Sequence, residues 1–114
     1  MTFFRIADLP EARMMTGVTR RAVWLNGVML TFFSFASGAE VPEHAHPHEQ
    51  ITVISKGALE FTLAGETRLL RAGEGVCIPA NVPHSARATE GPTEAVDAWH
   101  PPRDEYRQAG AGQP

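Results

Sequence analysis

The sequence contains a single cysteine, Cys77, among 114 residues, so no disulfide can form within one chain. It has no apolar run long enough for a membrane-spanning helix, because charged residues interrupt every hydrophobic segment. The N-terminus shows neither the basic start nor the long apolar stretch of a signal peptide. These absences lead us to expect a cytoplasmic protein with no membrane partner.

The chain also lacks a strong excess of charge. Its net charge is −3 and it has no basic stripe, so we expect no nucleic-acid partner. Hydrophobic residues make up 43% of the chain, which is enough for one core in a single domain. No stretch longer than a turn has helical periodicity. Short β-rich segments separated by frequent turns instead predict an all-β sandwich or barrel.

Two dipeptides give the clearest turn signals. Asn26-Gly27 is the pair most typical of a two-residue hairpin, and Ala64-Gly65 predicts a second tight hairpin. Alternation of apolar and polar residues is typical of half-buried strands. Cys77 is predicted to be a small buried packing residue. The predicted strands cover residues 18–25, 28–35, 51–55, 59–63, 66–70, 76–78 and 93–100.

Two segments flank the predicted β-domain, which spans residues 18–106. Residues 1–17 are predicted to be an arm that contains a short helical turn between residues 8 and 15. The apolar residues Phe3 and Phe4 offer surface for pairing with a second copy of the chain. The segment 107–114 is small and polar, and we predict that it is disordered.

Three of the five histidines, His44, His46 and His48, fall within five residues. With Gln50 they share one parity, so in a single extended strand all four side chains would line one face. Imidazole is the commonest transition-metal donor, and an oxygen donor can complete such a set. One strand cannot surround an ion, so a second half-site is needed. Residues 73–84, which end in His84, offer one.

These two segments together resemble the cupin family. The first fits G-x5-H-x-H-x3-[E/Q]-x6-G through Gly38, His44, His46, Gln50 and Gly57. The second fits most of G-x5-P-x-G-x2-H-x3-N through Gly73, Pro79 and His84. The departures from the second pattern are Asn81 in place of glycine and Ala88 in place of asparagine.

The cupin resemblance implies a double-stranded β-helix, or jelly roll, with a metal ion inside one open end. It implies one divalent transition metal per chain, which Zn, Ni, Co, Mn or Fe would satisfy. The implied ligands are His44, His46, Gln50 and His84. Because Pro47 interrupts the first motif, replacement of Gln50 by His48 or Glu49 stays open.

A narrower resemblance covers about residues 18–106 and points to the KdgF-type cupins of pectin and alginate degradation. It is carried by residues 44–52, 60–67, 78–84 and 97–106. That family converts 4,5-unsaturated uronate monosaccharides into linear 5-keto-4-deoxyuronates. The resemblance implies functional roles for Asp97, Trp99 and Arg103, with Trp99 where Phe is expected. It also implies a small anionic sugar substrate and a homodimer.

Two other functions remain open from the sequence. A quercetinase-like, metal-dependent dioxygenase would need a redox metal and a more apolar pocket, and such enzymes usually carry Glu at the position of Gln50. A non-catalytic sugar-acid-binding cupin would keep the metal and Arg103 without needing Asp97.

Overall fold

Residues 3–107 are described by a computed structural model and form ten β-strands with two short 3-10 helices. No α-helix occurs in this range, and none of its helices is long and apolar enough to cross a membrane. The 3-10 helices are Ile6–Asp8 and Asp104–Tyr106. The strands are β1 (Ala12–Met15), β2 (Val18–Trp24), β3 (Met29–Phe35), β4 (Glu40–His44), β5 (Glu49–Lys56), β6 (Ala58–Leu63), β7 (Glu66–Arg71), β8 (Gly75–Ile78), β9 (His84–Arg87) and β10 (Thr93–His100).

The strands form two antiparallel sheets, with the order β1-β2-β3-β10-β5-β8 in the larger and β4-β9-β6-β7 in the smaller. The prediction of a single all-β domain is confirmed. Strand β5 shows why the sequence folds this way: Gln50, Thr52 and Ile54 are buried, while Ile51 and Val53 between them are exposed. The two-residue period therefore gives this strand an inner and an outer face.

Both predicted hairpins are present. Asn26-Gly27 joins β2 to β3, and the Leu25 amide donates to the Val28 carbonyl at 2.9 Å. Ala64 and Gly65 have φ values of 49° and 84°, the left-handed conformation that a tight hairpin needs at both positions. The cupin-motif residue Gly57 has a φ of 81°, and a Cβ there would lie 2.4 Å from the Pro92 carbonyl oxygen. Only glycine fits that position.

The core lies between the sheets and is formed by both of them. Met29, Ile54 and Leu59 are each 1% exposed. Phe33 stacks on Phe35 with ring centroids 6.1 Å apart, and both rings belong to the core. Truncating a buried residue such as Leu59 to alanine costs about 2–5 kcal/mol.

Two local predictions were wrong. Residues 12–15, which were expected to fall in the arm near a helical turn, form β1 and pair with β2; the helical turn lies earlier, at Ile6–Asp8. Cys77 is exposed rather than buried, because its side chain points outward from β8 while Ile78 points inward. Most of the predicted disordered tail, residues 108–114, lies outside the described range.

Candidate metal centre and pocket

Three histidines meet at one end of the space between the sheets. His44 ends β4, His46 follows in the connection to β5, and His84 begins β9. Each of the three offers a ligand atom, and these atoms lie within 4.8 Å of one another. The β-ladder that pairs His44 with His84 holds two of them side by side, with ring centroids 4.2 Å apart. The two segments chosen from the sequence therefore come together.

The path of the chain between these residues differs from the expected single strand. Strand β4 ends at His44 and β5 begins at Glu49, with a bend at residues 47–48. The prediction that four donors line one strand face was therefore wrong beyond His44, because Pro47 interrupts the extended conformation. The bend still brings His46 and Gln50 together, and it leaves His48 outside the three-histidine group.

Backbone carbonyl groups fix the orientation of all three rings. The Nδ1 atoms of His44 and His84 lie 2.9 and 2.8 Å from the carbonyl oxygens two residues earlier, and that of His46 lies 3.1 Å from the carbonyl of His48. A carbonyl oxygen can only accept, so each Nδ1 carries the proton. Each Nε2 is then left with a lone pair, as metal ligation requires.

Gln50 supplies a fourth donor in a suitable orientation. Its amide nitrogen donates to Thr52 Oγ1 at 2.9 Å and to Asp97 Oδ2 at 3.1 Å. This turns Oε1 toward His46 Nε2, 3.0 Å away. Two atoms with lone pairs face each other there, an arrangement that a cation between them would stabilise. The residues present therefore fit a divalent metal.

His84 supplies separate evidence that the donor set fits a metal ion. Nε2 of His84 is buried and has no hydrogen-bond partner in residues 3–107. Burial lowers the pKa of His84 to about 4, and burial followed by the charge of Arg103 also lowers the pKa of His46. Both rings are therefore neutral near pH 7, which is the form that binds metals.

The geometry favours Gln50 over the two alternatives that the sequence left open. Gln50 is buried and points inward, whereas Glu49 is exposed on the outer face of β5. His48 is half-buried and packs edge-on to Trp99, with ring centroids 6.3 Å apart.

Asp97 lies beneath the donor set in the middle of β10. It is 5% exposed and pairs in register with Thr31 of β3 and Thr52 of β5. Oδ2 accepts from Gln50, while Oδ1 is buried without a partner among the described residues. Burial raises the pKa of Asp97 to about 7, and a hydrogen bond with Thr52 opposes that rise. An amide at position 50 donates to this carboxyl group, where a glutamate would repel it.

Trp99 forms a wall next to the histidines. Its indole N–H donates to Thr31 Oγ1 at 2.9 Å, and its ring centroid lies 5.3 Å from that of His46. The hydrogen bond satisfies the polar end of a side chain that is only 3% exposed.

Arg103 continues this wall just after the last strand. Its guanidinium carbon lies 5.1 Å from the centroid of Trp99 and 4.7 Å from that of Tyr106. Nη2 is 2.7 Å from a carboxylate oxygen of Glu105, while Nε is buried without a partner in the described range. The side chain is 15% exposed. Arg103 therefore lines the pocket.

One cavity of about 380 Å³ connects these groups. Its polar lining includes His44, Gln50, His84, Asp97 and Arg103, with Trp99 and Tyr106 beside them. The rest is mainly apolar and includes Met14, Met15, Val18, Phe33, Phe35 and Phe61. All three residues with implied catalytic roles thus share a pocket with His44, Gln50 and His84 of the donor set.

Residues 31–99 match the Cupin_2 family, described as a cupin domain, over more than half of the chain. The chain belongs to the cupin family. The resemblance deduced from the motifs is confirmed, and with it the jelly-roll fold class. The cupin pattern accounts for the histidine cluster but leaves the reaction open, because one fold hosts many chemistries.

Solved structures and curated proteins supply the more detailed similarities. KdgF from Halomonas sp. is 30% identical with a TM-score of 0.87, over 92% of this chain and 97% of its own. A RmlC-like cupin from Shewanella frigidimarina superposes with a TM-score of 0.88 at 23% identity over 93% of this chain and 96% of its own, which shows the fold alone.

Among curated proteins, polyketide synthase CurC from Streptomyces cyaneus is 39% identical over 64 residues, which are 55% of this chain and 41% of CurC. Quercetin 2,3-dioxygenase from Bacillus subtilis is 41% identical over 69 residues, 59% of this chain and 20% of that enzyme. The matches thus span less than half the length of these two relatives.

The sequence interpretation missed two residues of the pocket region. Thr52 bonds the amide of Gln50, and Arg20 is buried against Tyr106. Strand parity offered a signal for both: Thr52 is two residues from Gln50, and Arg20 lies between the apolar residues Val18 and Ala22 on the inner face of β2.

Proposed function

We propose that this cupin is a metal-dependent enzyme that opens the ring of 4,5-unsaturated uronate monosaccharides to give linear 5-keto-4-deoxyuronates. One observation carries the proposal: a buried carboxyl group, Asp97, shares a cavity with His44 and His84 of the three-histidine cluster and with the guanidinium of Arg103. The full-length similarity to KdgF from Halomonas supports it.

The substrate brings a carboxylate next to a ring enol ether and a hemiacetal carbon. Its carboxylate suits Arg103, because a guanidinium offers a planar pair of donors and the Nε of Arg103 has no other partner in the described residues. Trp99 beside it supplies a flat apolar surface that excludes water. These two residues would orient the ring within the cavity.

His44, His46, His84 and Gln50 would hold the metal. When bound, a divalent ion with four neutral ligands supplies full positive charge as a Lewis acid for an anionic substrate. The Nδ1 hydrogen bonds keep the histidine donors directed at one point, and the bond between Gln50 and Asp97 links the donor set to the proton carrier.

Asp97 would move the proton that the reaction requires. Ring opening removes a proton from the anomeric hydroxyl, and a proton must reach C4 when the enol becomes a ketone. A carboxyl group with a pKa of about 7 can both accept and donate near neutral pH. Its Oδ1 atom is unpartnered within the described residues and so remains available.

The test is the initial rate of loss of enol-ether absorbance with unsaturated monosaccharides from pectin and from alginate. We expect wild-type activity on at least one substrate. Asp97→Asn keeps the shape of the side chain, so metal content should be retained while kcat falls at least about 100-fold. Thr89 is exposed on the surface and does not line the cavity, so Thr89→Val is a control that should leave kcat unchanged. Absence of activity in metal-loaded wild type on both substrates would refute the proposal.

A second candidate is a metal-dependent dioxygenase that acts on an aromatic substrate. The apolar part of the cavity, around Phe33, Phe35 and Phe61, favours this alternative, and so does the local similarity to quercetin 2,3-dioxygenase. It predicts oxygen consumption with a flavonol such as quercetin, whereas ring opening consumes no oxygen. The two assays on one metal-loaded preparation therefore separate the candidates.

A further inference from the structure

Arg20 is a buried cation that none of the roles above uses. It lies in β2 between Val18 and Ala22, and all three side chains face the inside of the sandwich. Arg20 is only 3% exposed. Arginine keeps its charge even when buried, so this position places a fixed positive charge in the interior.

The contacts of Arg20 balance its charge poorly. Nη2 donates to the backbone carbonyl of Glu105 at 3.2 Å, and the guanidinium carbon lies 4.5 Å from the centroid of the Tyr106 ring. Nε is buried without a partner, and no carboxylate forms an ion pair with Arg20 in residues 3–107. Burial lowers the pKa of Arg20 and the charge of Arg103 lowers it further, while Tyr106 and Glu105 oppose this shift.

The same tyrosine connects Arg20 to the cavity. Tyr106 lines the cavity together with Arg103, whose guanidinium carbon lies 4.7 Å from the ring centroid. Glu105 pairs with Arg103 at 2.7 Å, so these two charges compensate each other. Arg20 is therefore a second positive charge behind the wall formed by Arg103 and Tyr106, where Glu105 is the one carboxylate among the described residues whose charge acts on both arginines. Like charges within about 10 Å in a region with little water reinforce each other's potential at a ligand.

We propose that Arg20 is a positioning residue that makes the Arg103–Tyr106 wall selective for the carboxylate of the ligand. It holds the Glu105 backbone and the Tyr106 ring, and so sets the direction of Arg103, while its own charge makes this wall net positive. The inference rests on the proposed function for the identity of the ligand, a uronic acid. Arg20 acts through its neighbours, because it does not itself line the cavity.

The test compares wild type with Arg20→Met and Arg20→Lys. Methionine fills similar space without charge, and replacing a poorly paired buried ion with an apolar side chain is often neutral or stabilising. The probes are D-galacturonate, which lacks the enol ether, and its neutral methyl ester. Titration calorimetry on metal-loaded protein gives the affinity for each, and Arg68→Met on the exposed outer surface is the control.

We expect Arg20→Met to weaken galacturonate binding roughly tenfold and to reduce the preference for the acid over the ester by a similar factor. Arg20→Lys should recover part of the lost affinity, since lysine restores the positive charge but not the planar pair of guanidinium donors. Arg68→Met should match wild type. In the ring-opening assay Arg20→Met should raise KM while kcat changes less than about threefold.

A double-mutant cycle checks that Arg20 acts through the aromatic ring. Tyr106→Leu should weaken galacturonate binding, and adding Arg20→Met should weaken it less than the two single changes predict together. If the effects of the two substitutions on binding free energy are fully additive, Arg20 does not act through Tyr106. If the folded, metal-loaded Arg20→Met protein prefers the acid over the ester as strongly as wild type does, the inference itself is overturned.

The two proposals can fail separately. Galacturonate binding needs no turnover, so Arg20-dependent binding by a wild type that opens no ring would refute the ring-opening proposal alone. Active wild type with unchanged selectivity in Arg20→Met would refute the role of Arg20 alone.

Discussion

The buried carboxyl group of Asp97 makes metal-free protein depend on pH in a way that one substitution can isolate. Its pKa of about 7 exceeds the ordinary value of 3.8 by about 3 units, which corresponds to about 4 kcal/mol between the two protonation states. No cation pairs with it in residues 3–107, and its neighbours Gln50, Thr52 and Thr31 are neutral. Burial therefore dominates.

The direction of the effect follows from where the proton is held. Between pH 4 and 7 the folded protein keeps the Asp97 proton that the unfolded chain has released, so stability falls as pH rises. Above pH 7 Asp97 is ionised in both the folded and the unfolded protein, so its contribution to stability no longer changes with pH. Between pH 5 and 8 this group alone should remove about 3 kcal/mol from the free energy of unfolding.

Asp97→Asn removes this dependence while keeping a side chain that can accept from Gln50. Urea unfolding of chelator-treated wild type and variant, at half-unit steps from pH 5 to 8, gives the difference between their unfolding free energies. Histidines and other groups titrate in both proteins and cancel in that difference. We expect the variant to gain about 3 kcal/mol relative to wild type over this range. Parallel curves would show that Asp97 is not held in an apolar environment and would refute the reasoning.

Three further predictions concern the metal, the substrate clamp and assembly. His84→Ala should strongly lower the roughly one divalent ion per chain measured by elemental analysis, as should alanine at the other two clustered histidines; an equal loss in His48→Ala would mean a misassigned ligand set. Arg103→Lys should raise KM and also lower kcat if the guanidinium orients the ring, and unchanged kinetics would exclude the clamp. Light scattering at micromolar concentration should give the mass of a homodimer, because apolar residues such as Phe3 and Ile51 are exposed, and a monomeric mass would contradict this.

Much of the architecture was predictable because local chemistry and strand period agree. Asn26-Gly27 and Ala64-Gly65 are turn pairs that the sequence shows directly, and Ala64 and Gly65 adopt the positive φ values that few residues accept. The last predicted strand, 93–100, matches β10 to the residue. The histidine cluster was predictable for a different reason, since two spaced motifs agreed on His44, His46 and His84.

The remaining features depend on contacts between segments far apart in sequence. Cys77 looked buried because its neighbours are apolar, but only the register of β8 against β5 decides which side chains face inward. The pairing of β1 with β2 was missed because residues 12–15 carry no clear alternation. Arg20 packs against Tyr106, which lies 86 positions later, and no local sequence pattern predicts that contact.

The donor set draws on both sheets: His44 and His84 belong to the smaller, Gln50 belongs to the larger, and His46 lies on the connection between them. An ion bound there would act as a cross-link at the open end of the sandwich. The complete set cannot exist until the sheets have docked, so tight metal binding must be a late event in folding. Metal supply would then act on the lifetime of the folded protein as well as on its activity, because an ion that binds only the native form slows the opening of the two layers.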